Sequence, residues 1–314
     1  MVRRGQGVAV TEFNYQPIVK LDRAGNPGKR TTNARITFST IIFFQVAGLI
    51  PASGEEFDQH MADIRQKVPS QEFTVVRQAP FVVIGDEPAE MVRSRASSIV
   101  KLAVDSLKRD YFAKDPTEII DIWLFKDKES YEQHTREIFG DKPTTPYGYY
   151  SAQHRALIMN IATGGGTLVH EIVHPYMRAN FPACPPWFNE GMGSLYEQST
   201  ERDGHIRGLT NWRLAGLQRA IKDGRLLSFE KLTALNGREF YGDPNGYGSY
   251  YGQSRYLCYY LQEKNLLVEF YREFVAHHAD DPTGFRTLKK VLGEPDMVAF
   301  QKKWEEFVSR LTFP

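Results

Sequence analysis

Two short segments carry the residue types that metal chemistry needs. His170-Glu171-Ile172-Val173-His174 sets two imidazoles four residues apart. On a helix that is one face, and both rings can hold one Zn²⁺. Glu171 sits one position along, where its carboxylate reaches a water on that metal. Fifteen residues separate His174 from Glu190, which lies in Trp187-Phe188-Asn189-Glu190-Gly191 and supplies a third donor. Two neutral imidazoles and one carboxylate leave a coordination position open, the arrangement of catalytic rather than structural zinc. In that chemistry the metal lowers the pKa of its water and polarises a carbonyl, while Glu171 takes the water proton and delivers it to a leaving amine. The same histidine pair would also suit an exposed helix face. Leu168, Ile172 and Val173 argue against that, because they make much of the helix circumference apolar, and buried charged groups need a partner.

The elements that must position these residues can be read in order. Phe81-Val82-Val83-Ile84 is a short strand stopped at Gly85-Asp86, and Ala89 to Phe112 repeats apolar residues at helical spacing. Ile119 to Phe125 is a second strand, Ser130 to Phe139 a helix, and Tyr147 to Ile161 a third strand. Gly164-Gly165-Gly166 turns the chain into the histidine helix, with Thr167 as its expected N-cap. Pro175 predicts a kink or early loosening just after His174. Beyond Pro182 the pattern is almost wholly helical: Pro186 opens the helix bearing Glu190, Ser228 caps a short helix to Leu235, and Tyr247 to Glu263, Leu266 to Ala279 and a terminal helix from Met297 follow. The expected fold class is α+β, a small mixed sheet with helices in the N-terminal half and a mostly helical C-terminal half. Its divisions are a leader over 1–54, a linker over 55–75, an α+β half over 76–181 and a helical half over 182–314.

The chain has 314 residues and a net charge of +1, so no global field points to nucleic acid. Residues 1–54 nevertheless carry seven Lys/Arg against two Asp/Glu, a net +5, which leaves 32 against 36, a net −4, for the rest. Within that leader Ile36 to Ile50 is uncharged and mostly apolar, and Pro51-Ala52-Ser53-Gly54 follows with small residues. This is the layout of a signal peptide or anchor, so export is expected, with membrane contact only through 36–50 if that segment is retained. A buried element of the folded domain is the other reading of such a run. Two cysteines, Cys184 and Cys258, allow one bridge and no framework. His60, His134, His154, His205, His277 and His278 have no ligand spacing to the motif and are expected on the surface.

A developing oxyanion needs a donor besides the metal. Tyr247, Tyr250 and Tyr251 are candidates, although a tyrosine stripe on a helix also suits plain packing. Glu197, seven residues after Glu190 and expected on the same helix, either orients a metal ligand from behind or is a solvated charge.

His170-Glu171-Ile172-Val173-His174, then Asn189-Glu190-Gly191 and a further Glu at 197, resembles the gluzincin zinc metallopeptidases, which include the thermolysin and aminopeptidase-N types, and is nearest to the small bacterial peptidase-MA-like proteins. The likeness is specific over 164–200, looser over 245–312 and weak before 140. It implies a zincin-like fold, a peptide or protein substrate and Zn²⁺. Tyr251-Gly252-Gln253-Ser254 looks like a variant of the run that supplies the oxyanion-binding tyrosine in the aminopeptidase-N type, which favours Tyr251. In this fold the strand before the active-site helix pairs with an extended substrate. Ala156, Leu157, Ile158 and Met159 occupy that stretch, which points to an endopeptidase. The gap between His174 and Glu190 is shorter than in the aminopeptidase type, and no Gly-x-Met-Glu-Asn run is present. Two other functions fit the same residues, a catalytically inactive zincin-scaffold binding protein of the cell envelope and a zinc hydrolase of another amide or ester. Glu171 counts against the first, because metal binding alone needs only the ligands, and the site chemistry does not specify the acyl partner.

Overall fold

The computed structural model describes residues 52–143, 145–243 and 249–313. The leader run 36–50 and Tyr247 lie outside them. Five strands form one mixed sheet in the order β1-β2-β3-β5-β4: β1 (Thr74–Gln78), β2 (Phe81–Gly85), β3 (Ile120–Phe125), β4 (Gly148–Ser151) and β5 (Ala156–Asn160). β2, β3 and β5 run parallel, and β1 and β4 are antiparallel strands at the two margins. The central strands are buried at every position because both faces are covered. Phe81, Val83, Ile122, Leu124, Leu157 and Met159 face the larger core with the histidine helix. Val82, Ile84, Trp123, Phe125, Ala156 and Ile158 alternate onto the opposite face, against α1 (Gly54–Lys67) and α4 (Lys128–Phe139). The fold is α+β, with the sheet in the N-terminal half and helices in the C-terminal half.

Several local expectations are corrected. The stretch 55–75, polar enough to read as a linker, is mostly α1. Ser53 and Glu56 close a capping box at its start, and Phe57 and Ile64 bury one face of the helix. Residues 147–161 are a hairpin rather than one strand, with Tyr149 opposite Ile158 and Arg155 at φ 49° in the turn. The periodic run from Ala89 forms α2 (Ala89–Arg95) and α3 (Leu102–Asp110), joined by a π-helical segment over Ala96–Lys101. His60 and His134 are half-buried, His60 bonded to Asp121 at 2.7 Å and His134 against Phe73.

The histidine helix, α5 (Gly166–Asn180), begins two residues earlier than expected, with Gly165 rather than Thr167 at its cap. A Cβ on Gly166 would lie 2.0 Å from the Glu197 carbonyl oxygen, so the chains approach here as only glycine allows. Pro175 does not end the helix. It is buried, and Tyr176 and Met177 beyond it are 0% and 1% exposed, so core packing of the last turn outweighs one missing backbone hydrogen bond. α6 (Pro186–Leu195) carries Glu190 and packs closely on α10 (Ser249–Glu263). A Cβ on Gly191 would meet Cys258 Sγ at 2.9 Å and the Ser254 carbonyl at 3.1 Å. Both cysteines are free thiols, so no bridge ties these helices. Gly191→Ala therefore forces backbone apart inside the core and should lower stability by about 1–3 kcal/mol, read from urea unfolding of the two proteins. An unchanged midpoint would mean the helices can separate without cost.

Candidate metal centre

α5 and α6 pack against each other and bring the three expected donors together. His170, His174 and Glu190 each turn one ligand atom inward, all within 4.8 Å of one another. Glu190 Oε2 lies 3.3 Å from His170 Nε2 and 3.9 Å from His174 Nε2. The two rings are 4.9 Å apart at 75°, as residues one helical turn apart on one face should be. His170 and Glu190 side chains are 2% and 4% exposed and His174 is 19% exposed, so the site opens to solvent on the His174 side.

The outward nitrogens are held as well. His170 Nδ1 is 3.1 Å from Glu197 Oε1 and His174 Nδ1 is 3.1 Å from Asn189 Oδ1. Both Nδ1–H groups donate to these oxygens, which leaves each Nε2 lone pair aimed at the cluster. Tyr241, in the short helix α9 (Gly237–Tyr241), donates its hydroxyl to Glu190 Oε1 at 2.9 Å. That hydrogen bond occupies one carboxylate oxygen and turns the other inward. Gly193 gives the His170 ring its room, since a Cβ there would lie 3.0 Å from Nε2.

Glu197 is not on the helix of Glu190. α6 ends at Leu195, and Arg255 from α10 donates to the carbonyls of Ser194 at 2.8 Å and Leu195 at 3.3 Å, favourable charge at a helix C-terminus. The chain then turns so that Glu197 faces His170 from behind. Arg213 grips its carboxylate with Nε at 2.8 Å and a terminal nitrogen at 2.6 Å, and Asn211 adds a third donor at 3.0 Å.

These contacts set the protonation states. Burial opposes the charged carboxylate of Glu197, but the Arg213 guanidinium and His170 outweigh it and hold its pKa far below the usual range. Burial likewise raises Glu190, and the two imidazoles with the Tyr241 hydroxyl bring it below the ordinary carboxylate value. Burial disfavours the charged form of His170, yet Glu190 and Glu197 on either side push it up to about 10. Burial and the charges of Glu190 and Glu171 raise Tyr241, which stays a phenol and a donor.

The remaining expected site residues are placed as follows. Glu171, next to His170 on α5, is 4% exposed. Tyr251 packs against Phe240 with the rings 5.2 Å apart and tilted by 57°, and lies beneath the Arg213 guanidinium at 5.3 Å, one side chain removed from the His170–Glu197 pair. Tyr250 packs against Phe240. Ala156, Leu157, Ile158 and Met159 cannot serve as an edge for an incoming chain. They form β5, hydrogen-bonded to β3 on one side and β4 on the other, and are at most 1% exposed. The hairpin turn at 152–155 folds β4 over that margin, and β4 becomes the outer strand. Asn189, Tyr241, Asn211 and Arg213 were not assigned roles from the sequence. Asn189 sits inside the motif, while Asn211 lies in a loop, Arg213 opens the helix Arg213–Lys222 and Tyr241 ends α9, none at a spacing that ties it to the motif.

The donor set fits a zinc ion: two imidazole nitrogens and a carboxylate oxygen converge with their tautomers fixed from outside. No protein-family model matches the chain, and no curated protein matches it.

Two outcomes follow from this geometry. Glu197→Ala should weaken zinc affinity about 10–100-fold, measured by competition with a chelating dye, and an unchanged affinity would remove its orienting role. His170 is raised in the folded protein above its ordinary 6.5, so without metal its stabilisation is complete below pH 6.5 and is lost as pH rises through about 10. Metal must displace that proton. Zinc binding at pH 7 should release about one proton by calorimetry in buffers of different ionisation heat, and no release would mean that His170 is already neutral.

Proposed function

We propose that this chain is an exported zinc-dependent metallopeptidase of the gluzincin kind, acting as an endopeptidase. The observation that carries the reading is the convergence of His170 Nε2, His174 Nε2 and Glu190 Oε2 with both Nδ1 atoms tied back, to Glu197 and Asn189. A zinc ion bound there supplies the Lewis acidity that makes water a nucleophile near neutral pH and polarises a carbonyl.

The chain's own residues do the rest. Glu171, buried next to His170 on α5, accepts the water proton and passes it to the departing amine. Tyr241 holds Glu190 in a one-oxygen pose through its 2.9 Å hydrogen bond. Glu197 and Asn189 stop the imidazoles from rotating. Tyr251 is the proposed hydroxyl donor to the developing oxyanion, with the Arg213 guanidinium over its ring at 5.3 Å. An extended substrate pairs along β4, which among the described residues has a partner strand on one side only and packs against α5. Export rests on the basic leader with its apolar run 36–50. Among the described residues no helix is long and apolar enough to cross a membrane.

The deciding measurement compares zinc content and casein cleavage in wild type and Glu171→Gln. The variant should keep its zinc and lose at least about 100-fold in turnover, the usual size of a general-base contribution. Purified wild type without zinc, or cleavage that survives in the variant, would overturn the proposal.

A further inference from the structure

A cavity of about 870 Å³ adjoins the donor set, bordered by Val169, Glu197 and Arg213. None of the three donors lines it, so it meets the metal centre through the carboxylate that holds His170. Its volume lies in the range, roughly 300–1,000 Å³, that takes a whole drug-sized ligand rather than one side chain. Ile99, Leu102, Ile206 and Trp212 give it apolar walls. Leu102 and Trp212 are 43% and 45% exposed, and such large apolar groups gathered around one concavity mark a binding surface. The ions at its inner end are already committed to each other, because both oxygens of Glu197 accept from Arg213. An incoming charged group meets no unbalanced countercharge there, and an apolar one does not disturb the pair.

The opposite wall distinguishes an apolar peptide from a plain hydrocarbon. It is built by Ser199, Thr200 and Glu201 of β6 (Ser199–Arg202), which among the described residues pairs with β7 (His205–Gly208) on one side only. The outward backbone groups of such a strand pair with an extended chain. A hydrocarbon would cover them without replacing their hydrogen bonds to water, at a cost in free energy.

We infer that this cavity binds an extended peptide segment carrying two bulky apolar side chains, held beside the metal centre; that the ligand is a peptide rests on the peptidase reading. Trp212 is the natural reporter, since Trp123, Trp187 and Trp304 are at most 2% exposed. Full-length Glu171→Gln protein is titrated with blocked tetrapeptides containing Leu-Phe, Ala-Ala or Asp-Glu, and with lauric acid. The Leu-Phe peptide should shift the tryptophan emission to the blue, saturate, and bind at least tenfold more tightly than the other two peptides. Leu102→Glu should abolish that preference with thermal unfolding unchanged. Ser98→Phe, on the exposed rim of the cavity, should do the same by filling it. Equal affinity for all three peptides, no emission shift, or saturation by lauric acid alone overturns the inference. Leu-Phe binding to a protein whose wild type cleaves nothing leaves the cavity assignment standing and removes the peptidase reading. Cleavage by wild type with no apolar preference does the reverse.

Discussion

The candidate centre depends on a carboxylate that never touches the proposed cation. Glu197 accepts from His170 Nδ1 at 3.1 Å and is itself fixed by Arg213 and Asn211. An imidazole free to rotate would present either nitrogen, and a buried carboxylate without Arg213 would gain a proton rather than hold one for His170. The pair therefore selects both the tautomer and the direction of the inward lone pair. Asn189 does the same for His174 with a neutral amide, which suffices because that ring is partly solvated. The arrangement is asymmetric: a charge-assisted tether where burial is complete and an ordinary hydrogen bond where water still reaches.

Much of the scaffold exists to deliver that tether. The Glu197 backbone must approach the start of α5, so Gly166 has no side chain there. α6 must stop at Leu195, and Arg255 stabilises the stop by taking its last carbonyls. Burial lowers the Arg255 pKa to about 10, yet it remains a cation at neutral pH. α6 must also lie close to α10, so Gly191 faces Cys258 and Ser254 with no side chain between. Gly166, Gly191 and Gly193 are thus spacing devices around the donors and their tether.

The parts legible in the sequence are those governed by short-range periodicity. The i, i+4 histidines, the apolar strands at 81–84 and 119–125 and the cap at Ser228 all depend on neighbours a few residues away, and the fold class follows from them. What stayed hidden was set by contacts across the chain. β5 reads as a strand, but its interior place depends on the 152–155 turn folding β4 over it, which reverses which strand is exposed. Tyr241 reaches Glu190 over 51 residues and Arg213 reaches Glu197 over 16, and neither carries a spacing signal. Pro175 misled for the same reason, because a local rule about one missing hydrogen bond competes with the burial of Tyr176 and Met177. α1 reads as a linker because only two of its side chains, Phe57 and Ile64, are buried.

The charges around the donors explain why such a cluster can persist inside a protein. Glu190 and Glu197 are buried carboxylates on either side of His170, and Arg213 holds the second of them. A buried carboxylate left without a partner would cost several kcal/mol in a water-poor interior. A proton on His170 faces both, which is why these two carboxylates drive that imidazole up against its own burial. The proton occupies Nε2, since Nδ1–H is already committed to Glu197, and it faces Glu190 Oε2 at 3.3 Å. This is the same lone pair that a divalent cation would use. Proton and cation therefore compete for one position, and each satisfies the Glu190 oxygen that the other leaves.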